Sequence, residues 1–205
     1  GVLVNQAPHQ LDLIQWIAGV PKSVYAKATY GYQRNIVVED EVTAVFDYGN
    51  GATGVFITAT HDLMGTDRLE IFGDKGKIIV DDSQKVTVKR LPKTEQELDE
   101  EVTAVGTRFT FPGGKTKKDM VEEETFTTDS IWGAQHAGVL ENFARHILFG
   151  EELIAPGEEG INGVRLANAI HLSSWLDKEV SLSDFDDDLY LELLNGKIKE
   201  EGKYE

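Results

Sequence analysis

The feature that most constrains this fold is a pair of alternating, β-branched segments separated by Gly49-Asn50-Gly51. Residues 42–48 and 54–60 alternate apolar and polar side chains, the period-two pattern of a strand with one buried face. An Asn-Gly pair between two such segments is a strong hairpin signal, because these residues tolerate the positive φ angles of a tight turn. The sequence therefore predicts two antiparallel strands joined at residue 50.

Segments on both sides of this hairpin also have strand character. Residues 24–28 alternate in the same way, and residues 68–72 and 77–80 flank a turn at Gly73-Asp74-Lys75-Gly76. Residues 85–91 supply one more strand. We therefore expect an antiparallel sheet of at least five strands.

Helical patterns precede and follow the strands. Residues 8–18 form the first predicted helix, which begins with a proline that suits the first helical position. Later helices are predicted over residues 135–149, 160–176 and 187–198. This order of elements is typical of an α+β fold, with an open, mostly antiparallel β-sheet and helices packed on one face.

The segment between the strands and the later helices is less regular. Residues 93–105 are charged and have helical character, and residues 106–128 fit a strand, a turn and a second strand. No repeat or linker interrupts the chain. We expect one substrate-binding and oligomerisation domain over residues 1–182, with residues 183–205 as a helical tail of that domain.

Composition excludes several functions. The 20 Lys and Arg residues face 36 Asp and Glu residues, and the net charge of −16 opposes binding to nucleic acid or to an acidic membrane. The absence of cysteine removes disulfides, thiolate nucleophiles and cysteine-based zinc sites, and it fits a cytoplasmic location. No stretch approaches the roughly 20 apolar residues that cross a bilayer. Without an initiator Met or a signal peptide, we expect the chain to begin inside a larger protein.

Two phosphate-binding patterns lack the context that their chemistry requires. Residues 49–54 read G-x-G-x-x-G, but a β-branched segment follows them where a dinucleotide site needs a helix N-terminus. Gly114-Lys115-Thr116 is similar to the end of a P-loop, but Phe109 stands where that motif has its first glycine. We therefore expect no cofactor site in this chain.

The N-terminal segment carries the best candidate for chemistry. Asn5 and His9 are four residues apart at the entry to the first predicted helix, so their side chains would converge there. A histidine can accept a proton near neutral pH, and an amide can orient a hydroxyl-bearing substrate. The alternative is structural, with His9 in a capping contact and Asn5 serving the helix terminus. The pattern alone leaves both interpretations open.

The order of several motifs resembles one enzyme family. Residues 3–12, Leu-Val-Asn-Gln-Ala-Pro-His-Gln-Leu-Asp, followed by Trp16, Gly19 and Pro21, look like the start of the second domain of the glucose-fructose oxidoreductase / inositol dehydrogenase (Gfo/Idh/MocA) family. Five more segments resemble the sheet and helices of that domain: residues 41–44, 48–52, 68–76, 136–143 and 157–160. The similarity covers most of residues 1–180 and is weak over residues 92–130.

The resemblance implies that one domain binds the cofactor and that a second domain binds the substrate. The family's first domain is a Rossmann fold that binds NAD or NADP and carries a lysine in a Glu-Lys-Pro motif, and that domain is absent from this chain. The second domain binds a sugar, polyol or related hydroxy compound and pairs subunits through its open sheet, which implies a homodimer or homotetramer. The chain alone would then be inactive in hydride transfer.

The family signature near the first helix is Asp-x-x-x-His. His9 matches the histidine, which the resemblance implies removes the hydroxyl proton of the substrate, whereas Asn5 replaces the aspartate. An asparagine can form hydrogen bonds but cannot act as an acid or base. Asp12 matches a frequent acidic position of the family, and it is equally interpretable as a residue on the helix surface.

Other candidate residues have stronger structural alternatives. Tyr32 and Arg34 end a strand, where Arg34 would clamp a carboxylate or sugar hydroxyls, although a solvated strand end is the simpler interpretation. His136 lies on the apolar side of its predicted helix, which favours a buried core histidine over a substrate contact. His61-Asp62 alone cannot fill the coordination sphere of a metal, so no metal site is expected.

Two rival functions remain beside the oxidoreductase. A non-catalytic ligand-binding or self-assembly domain derived from the same family would explain why Asn5 replaces the aspartate. A stand-alone hydrolase has little support, because no serine or carboxylate constellation is present in the sequence.

Overall fold

The protein forms two compact units. A computed structural model describes residues 1–105, 114–115, 117–128 and 134–201. The first unit comprises Gly1–Leu63 and Leu153–Glu205, and the second comprises Met64–Glu152. The elements of the first unit are α1 (Val2–Asn5), α2 (Pro8–Ala18), β1 (Ser23–Tyr30), β2 (Glu39–Asp47), β3 (Thr53–Ala59), a 3₁₀ turn (Gly157–Glu159), α6 (Gly160–Leu176), β8 (Val180–Ser181) and α7 (Asp187–Glu201). Those of the second unit are β4 (Arg68–Gly73), β5 (Gly76–Asp81), β6 (Lys85–Arg90), α3 (Glu95–Val105), α4 (Lys117–Met120), β7 (Glu122–Thr127) and α5 (Ala134–Phe149).

The first unit contains a four-stranded antiparallel sheet in the order β3-β2-β1-β8. Directly paired residues share a face, so the register divides the side chains into two sets. The buried set includes Val24, Ala26, Val42, Ala44, Phe46 and Phe56. The opposite, exposed face carries Tyr25, Val45, Val55 and Ile57. The predicted alternation thus identifies the inner face of the sheet.

The predicted hairpin joins β2 to β3. The backbone N–H of Tyr48 donates to the carbonyl of Ala52 at 3.1 Å, and the Asn50 side-chain oxygen accepts from the N–H of Ala52 at 3.0 Å. Gly49 and Gly51 have φ angles of +73° and +91°, which favour glycine because a Cβ would crowd the backbone. Residues 49–54 therefore close a turn and open no helix.

Helices cover the buried face of this sheet. The predicted ranges of α2 and α6 match the observed ones, and α2 ends at Gly19, whose N–H donates to the carbonyl of Gln15 at 2.9 Å. The hydrophobic core combines the inner strand residues with side chains from the helices: Val2, Leu3, Ala7, Leu11, Leu166, Ala169, Ile170 and Leu172. This arrangement confirms the α+β class with helices packed on one face.

Two serines of α6 bond to the outer edge of β1. The short β8 pairs only with Ser23 and Val24, so it does not reach the N–H groups farther along β1. Ser173 Oγ accepts the N–H of Ala26, and Ser174 Oγ accepts the N–H of Ala28, both at 2.9 Å. Side chains from a helix therefore satisfy backbone donors that would otherwise lack partners.

The second unit contains its own antiparallel sheet, in the order β4-β5-β6-β7. The register places an apolar set on one face: Leu69, Ile71, Ile78, Val80, Val86, Val88 and Phe126. Charged pairs occupy the other face or the edges, such as Arg68 with Asp81 at 2.7 Å and Lys89 with Glu123 at 3.0 Å. The charged segment after β6 is helical, as predicted, from Glu95 to Val105.

The strands divide differently from the sequence expectation. The sequence predicted one sheet of at least five strands, whereas the strands form two sheets of four. The reason is that, among the described residues, β3 pairs only with β2 and β4 pairs only with β5, so no hydrogen-bonded ladder joins β3 to β4 there. Of the predicted strand, turn and strand over residues 106–128, the second strand is β7; residues 106–113 lie outside the described part of the chain.

No helix in the described ranges is long and apolar enough to span a bilayer.

Candidate functional site

The candidate site is the junction of α1 and α2. Helix α1 ends at Asn5, the N–H of Ala7 donates to the carbonyl of Val2 at 2.9 Å, and α2 begins at Pro8. The turn is anchored because Ala7 is buried, and the N–H of Leu11 donates to the Ala7 carbonyl at 3.0 Å. Burial of one side of this segment leaves its other side facing solvent.

Asn5 and His9 both lie on that solvent-facing side. Asn5 is the last residue of α1, His9 is the second residue of α2, and both side chains are exposed. Neither helix start is capped by a side chain, since Gly1 and Ala7 occupy the cap positions. The capping interpretation of these two residues is therefore wrong, and both side chains are accessible to a ligand.

Asp12 has a partner on its own helix. Its carboxylate accepts a hydrogen bond from the side-chain amide of Gln15 at 2.9 Å. Gln15 is buried, and its oxygen lies 3.5 Å from the amide nitrogen of Asn162 on α6. Asp12 thus orients a residue of the α2–α6 interface, which agrees with its interpretation as a helix-surface residue.

Tyr32 and Arg34 lie on the loop between β1 and β2. Tyr32 is 71% exposed, and a guanidinium nitrogen of Arg34 donates to the carbonyl of Thr60 at 3.3 Å. The backbone N–H of Arg34 donates to the Asp40 carboxylate at 3.2 Å. The loop is thereby fastened to β2, and the guanidinium makes a backbone contact at the surface.

His136 lies on α5 of the second unit. Its side chain is exposed, so the interpretation as a buried core histidine is wrong. The sequence predicts His136 on the apolar side of this helix. That side of α5 is also exposed, and it includes Val139, Leu140, Phe143 and Ile147.

Two buried polar residues next to α1 were missed by sequence reasoning. Glu39 is 4% exposed and accepts the backbone N–H of Leu3 at 3.0 Å. Its other carboxylate oxygen lies 3.3 Å from Nε2 of His171, which is 8% exposed. Burial raises the pKa of Glu39, but the His171 ring and the Leu3 N–H outweigh it, so the pKa lies below its ordinary value. Glu39 therefore holds α1 as a carboxylate.

A second buried acid, Asp40, holds the β1–β2 loop in place. It accepts hydrogen bonds from the Thr29 hydroxyl at 3.0 Å and from the backbone N–H groups of Gln33 and Arg34 at 2.8 and 3.2 Å. Burial raises its pKa, but these donors lower it further, to below the ordinary value. In the described part of the chain, no group of three His, Asp or Glu side chains could hold a metal ion.

Comparisons with known proteins identify one family. The family model described as "Oxidoreductase family, C-terminal alpha/beta domain" (GFO_IDH_MocA_C) matches residues 1–182. No match is found among curated protein sequences.

Solved structures of similar fold carry the name of oxidoreductase or dehydrogenase. The chain is similar to the WlbA dehydrogenase of Bordetella pertussis, in complex with NADH and UDP-GlcNAcA (21% identity, TM-score 0.58, 88% of this chain and 44% of that one). It also resembles an oxidoreductase of Agrobacterium radiobacter in complex with NAD⁺, L-tartaric acid and magnesium (18%, 0.59, 87% and 48%). A third is the aldose-aldose oxidoreductase of Caulobacter crescentus complexed with glycerol (18%, 0.59, 85% and 45%). The chain thus spans about half the length of each of these proteins.

Proposed function

Because the chain belongs to the Gfo/Idh/MocA oxidoreductase family, as a C-terminal α/β domain, we propose that it is the substrate-binding and subunit-pairing part of an NAD(P)-dependent oxidoreductase. The substrate class is a sugar, a polyol or a related hydroxy compound. The similar proteins named above were solved with a nucleotide sugar, a hydroxy acid and glycerol, which supports this class. The cytoplasm supplies both nicotinamide cofactors, and we place the protein there.

The observation that carries the proposal is the exposed imidazole of His9 at the start of α2. In the oxidation direction, His9 accepts the proton of the substrate hydroxyl while a hydride leaves the carbon atom that bears this hydroxyl. Asn5, the last residue of α1, donates its side-chain N–H to a substrate oxygen and thereby orients the substrate. Asn5 forms this hydrogen bond but transfers no proton, because an amide has no titratable group near neutral pH.

The nicotinamide cofactor is the hydride acceptor, and its binding site belongs to a separate domain. The G-x-G-x-x-G segment of residues 49–54 does not fit a dinucleotide, because it forms the β2–β3 turn and opens no helix. Two of the similar proteins were solved with NADH or NAD⁺. We therefore propose that the 205-residue chain alone has no hydride-transfer activity.

The exposed face of the β3-β2-β1-β8 sheet is the proposed subunit contact. Val45, Val55 and Ile57 are 45%, 68% and 68% exposed on this face, and they are neighbours across the strands. An apolar sheet face of this kind is a ready surface for a second copy. A symmetric contact through it gives the dimer that we propose, and a tetramer requires a second contact as well.

Steady-state kinetics of the full-length protein test the role of His9. With NAD⁺ or NADP⁺ and a panel of sugars and polyols, we expect His9→Ala to lower kcat about 10²- to 10⁴-fold, the usual contribution of a general base. Gln10→Ala changes an exposed neighbour on the same turn and should leave kcat within about twofold. Asn5→Ala should raise KM more than it lowers kcat.

An unchanged kcat in His9→Ala would refute the assignment of the proton acceptor. The rival function is a non-catalytic ligand-binding domain, which the Asn5 substitution favours. Full-length protein that binds NADH and a sugar but turns over no member of the panel would support that rival.

A further inference from the structure

A cavity of about 380 Å³ in the first unit is not used by the proposed reaction. Aliphatic side chains of α1, α7 and the β1–β2 loop form part of its wall. Gly1 and six polar or aromatic residues complete it, the six being Tyr30, Glu39, His171, Trp175, Tyr190 and Lys197. We call it the Lys197 cavity. Its volume suits a molecule of the size of one sugar ring or a short polyol chain.

Lys197 supplies a positive charge to this cavity. Its Nζ lies 5.3 Å from the centre of the Trp175 ring and 6.0 Å from that of Tyr30, which are cation–π distances. The Trp175 indole N–H donates to the Tyr30 hydroxyl at 2.7 Å, so the two rings that hold the ammonium are themselves fixed. Over the described ranges, no carboxylate lies within ion-pair distance of Lys197. The ammonium is therefore available to an anionic ligand.

The buried side of the cavity limits the charge of that ligand. Both oxygens of Glu39 are already bonded, one to the Leu3 N–H and one facing His171, and the carboxylate repels further negative charge. Burial, and then the charge of Glu39, raise the pKa of Tyr190, so its hydroxyl stays protonated. This side offers hydrogen bonds to neutral groups.

We propose that the Lys197 cavity binds a small hydroxylated monocarboxylate of the sugar-acid type. Its carboxylate pairs with Lys197, and its carbon chain packs against the aliphatic wall. Its hydroxyls bond to the protonated Tyr190 side of the cavity. A dianionic phosphate is disfavoured by Glu39, and a neutral sugar leaves the ammonium without an anion. The proposal requires no turnover at His9, so it stands apart from the proposed catalytic function.

Calorimetric titration of the full-length protein with D-gluconate tests this site. Only binding that Lys197→Met weakens reports on this cavity, because that change leaves the proposed His9 site intact. We expect one such gluconate per chain, with D-glucose at least about tenfold weaker, since it lacks an ion pair worth about 1.4 kcal/mol or more. Inorganic phosphate should be similarly weak at this site, because Glu39 repels its second charge. Lys197→Met keeps the apolar stem and removes the charge, and it should weaken gluconate about tenfold or more. Lys199→Met, at an exposed position of the same helix, should change nothing.

Three results would overturn the proposal: no gluconate binding at millimolar concentration, equal or tighter binding of glucose or phosphate that Lys197→Met abolishes, or equal gluconate affinity in folded Lys197→Met. Circular dichroism establishes that the variant is folded. Should Lys197→Met not fold, Lys197→Arg replaces it, since it keeps the charge and should retain gluconate binding within a few-fold; loss of binding in that folded variant also overturns the proposal.

Discussion

Replacing Asp40 with asparagine should weaken the first unit through the loop between β1 and β2. The Asp40 side chain is fully buried, and its carboxylate accepts hydrogen bonds from Thr29, Gln33 and Arg34. An asparagine of the same shape can still accept the two backbone N–H groups with its oxygen. Its NH₂ would then face the Thr29 hydroxyl, which can reverse and accept.

The magnitude follows from the change in these three bonds. Hydrogen bonds to a charged group contribute about 1.5–3 kcal/mol each, against about 1 kcal/mol between neutral groups. Losing the charge at three bonds costs about 2–4 kcal/mol. Part of this is offset because burying a neutral amide costs less desolvation free energy than burying a carboxylate. We therefore expect Asp40→Asn to lower the free energy of unfolding by about 2 kcal/mol, and Asp40→Ala by about 4 kcal/mol.

Urea unfolding of the 205-residue chain measures these differences, and hydrogen exchange locates them. The amide protons of Gln33 and Arg34 should lose protection in both variants, because their acceptor is weakened or removed. The pKa of Asp40 lies below the ordinary value of 3.8, so its stabilisation is present above that pH. The difference between wild type and Asp40→Asn should stay constant from pH 5 to 8 and shrink as the pH falls below 3.8 through the folded pKa.

Asp99→Asn is the matched control, since it removes the same charge at an exposed position. It should change the free energy of unfolding by no more than about 0.5 kcal/mol. If Asp40→Asn were as mild as this control, or if its effect grew in acid, the buried carboxylate would not be what holds the loop.

Two further predictions concern the sheet of the first unit. Ser173→Ala should cost about 2 kcal/mol in urea unfolding, because the buried hydroxyl accepts the Ala26 N–H and donates to the Lys178 carbonyl at 2.6 Å; a loss under 0.5 kcal/mol would contradict this. Ile57→Lys, on the exposed face beside Val55, should break this contact, so that light scattering at micromolar concentration shows a dimer becoming a monomer, or a tetramer becoming a dimer, while the circular dichroism spectrum is unchanged. A wild-type protein that is already monomeric would refute the subunit contact.

Periodicity predicted most of the elements because local patterns decide them. Pro8 marks the start of α2 and Gly19 marks its end, and the apolar character of residues 160–176 identifies α6. All three features are visible in the sequence. The number of sheets was not predictable in this way. Whether β4 continues a ladder from β3 depends on long-range pairing, and the sequence of residues 60–67 carries no signal for it.

The candidate site was only partly visible in the sequence. Asn5 and His9 are only four residues apart in the chain, so local spacing was enough to single them out. Glu39 meets His171 from more than a hundred residues away, and no local pattern pairs them. Asp40 did carry a signal: the alternation that buries Val42 also places position 40 on the inner face, where an acid requires hydrogen-bond donors.

The serines of α6 also determine how this sheet ends. A strand with free donors along its side is a template on which another chain can add, and that is a common route to aggregation. Here the short β8 blocks the first part of that template, and Ser173 and Ser174 occupy the donors beyond it. Adding another strand beside β1 would require α6 to detach from the core. We therefore expect copies of the chain to associate through other surfaces and not through the β1 edge.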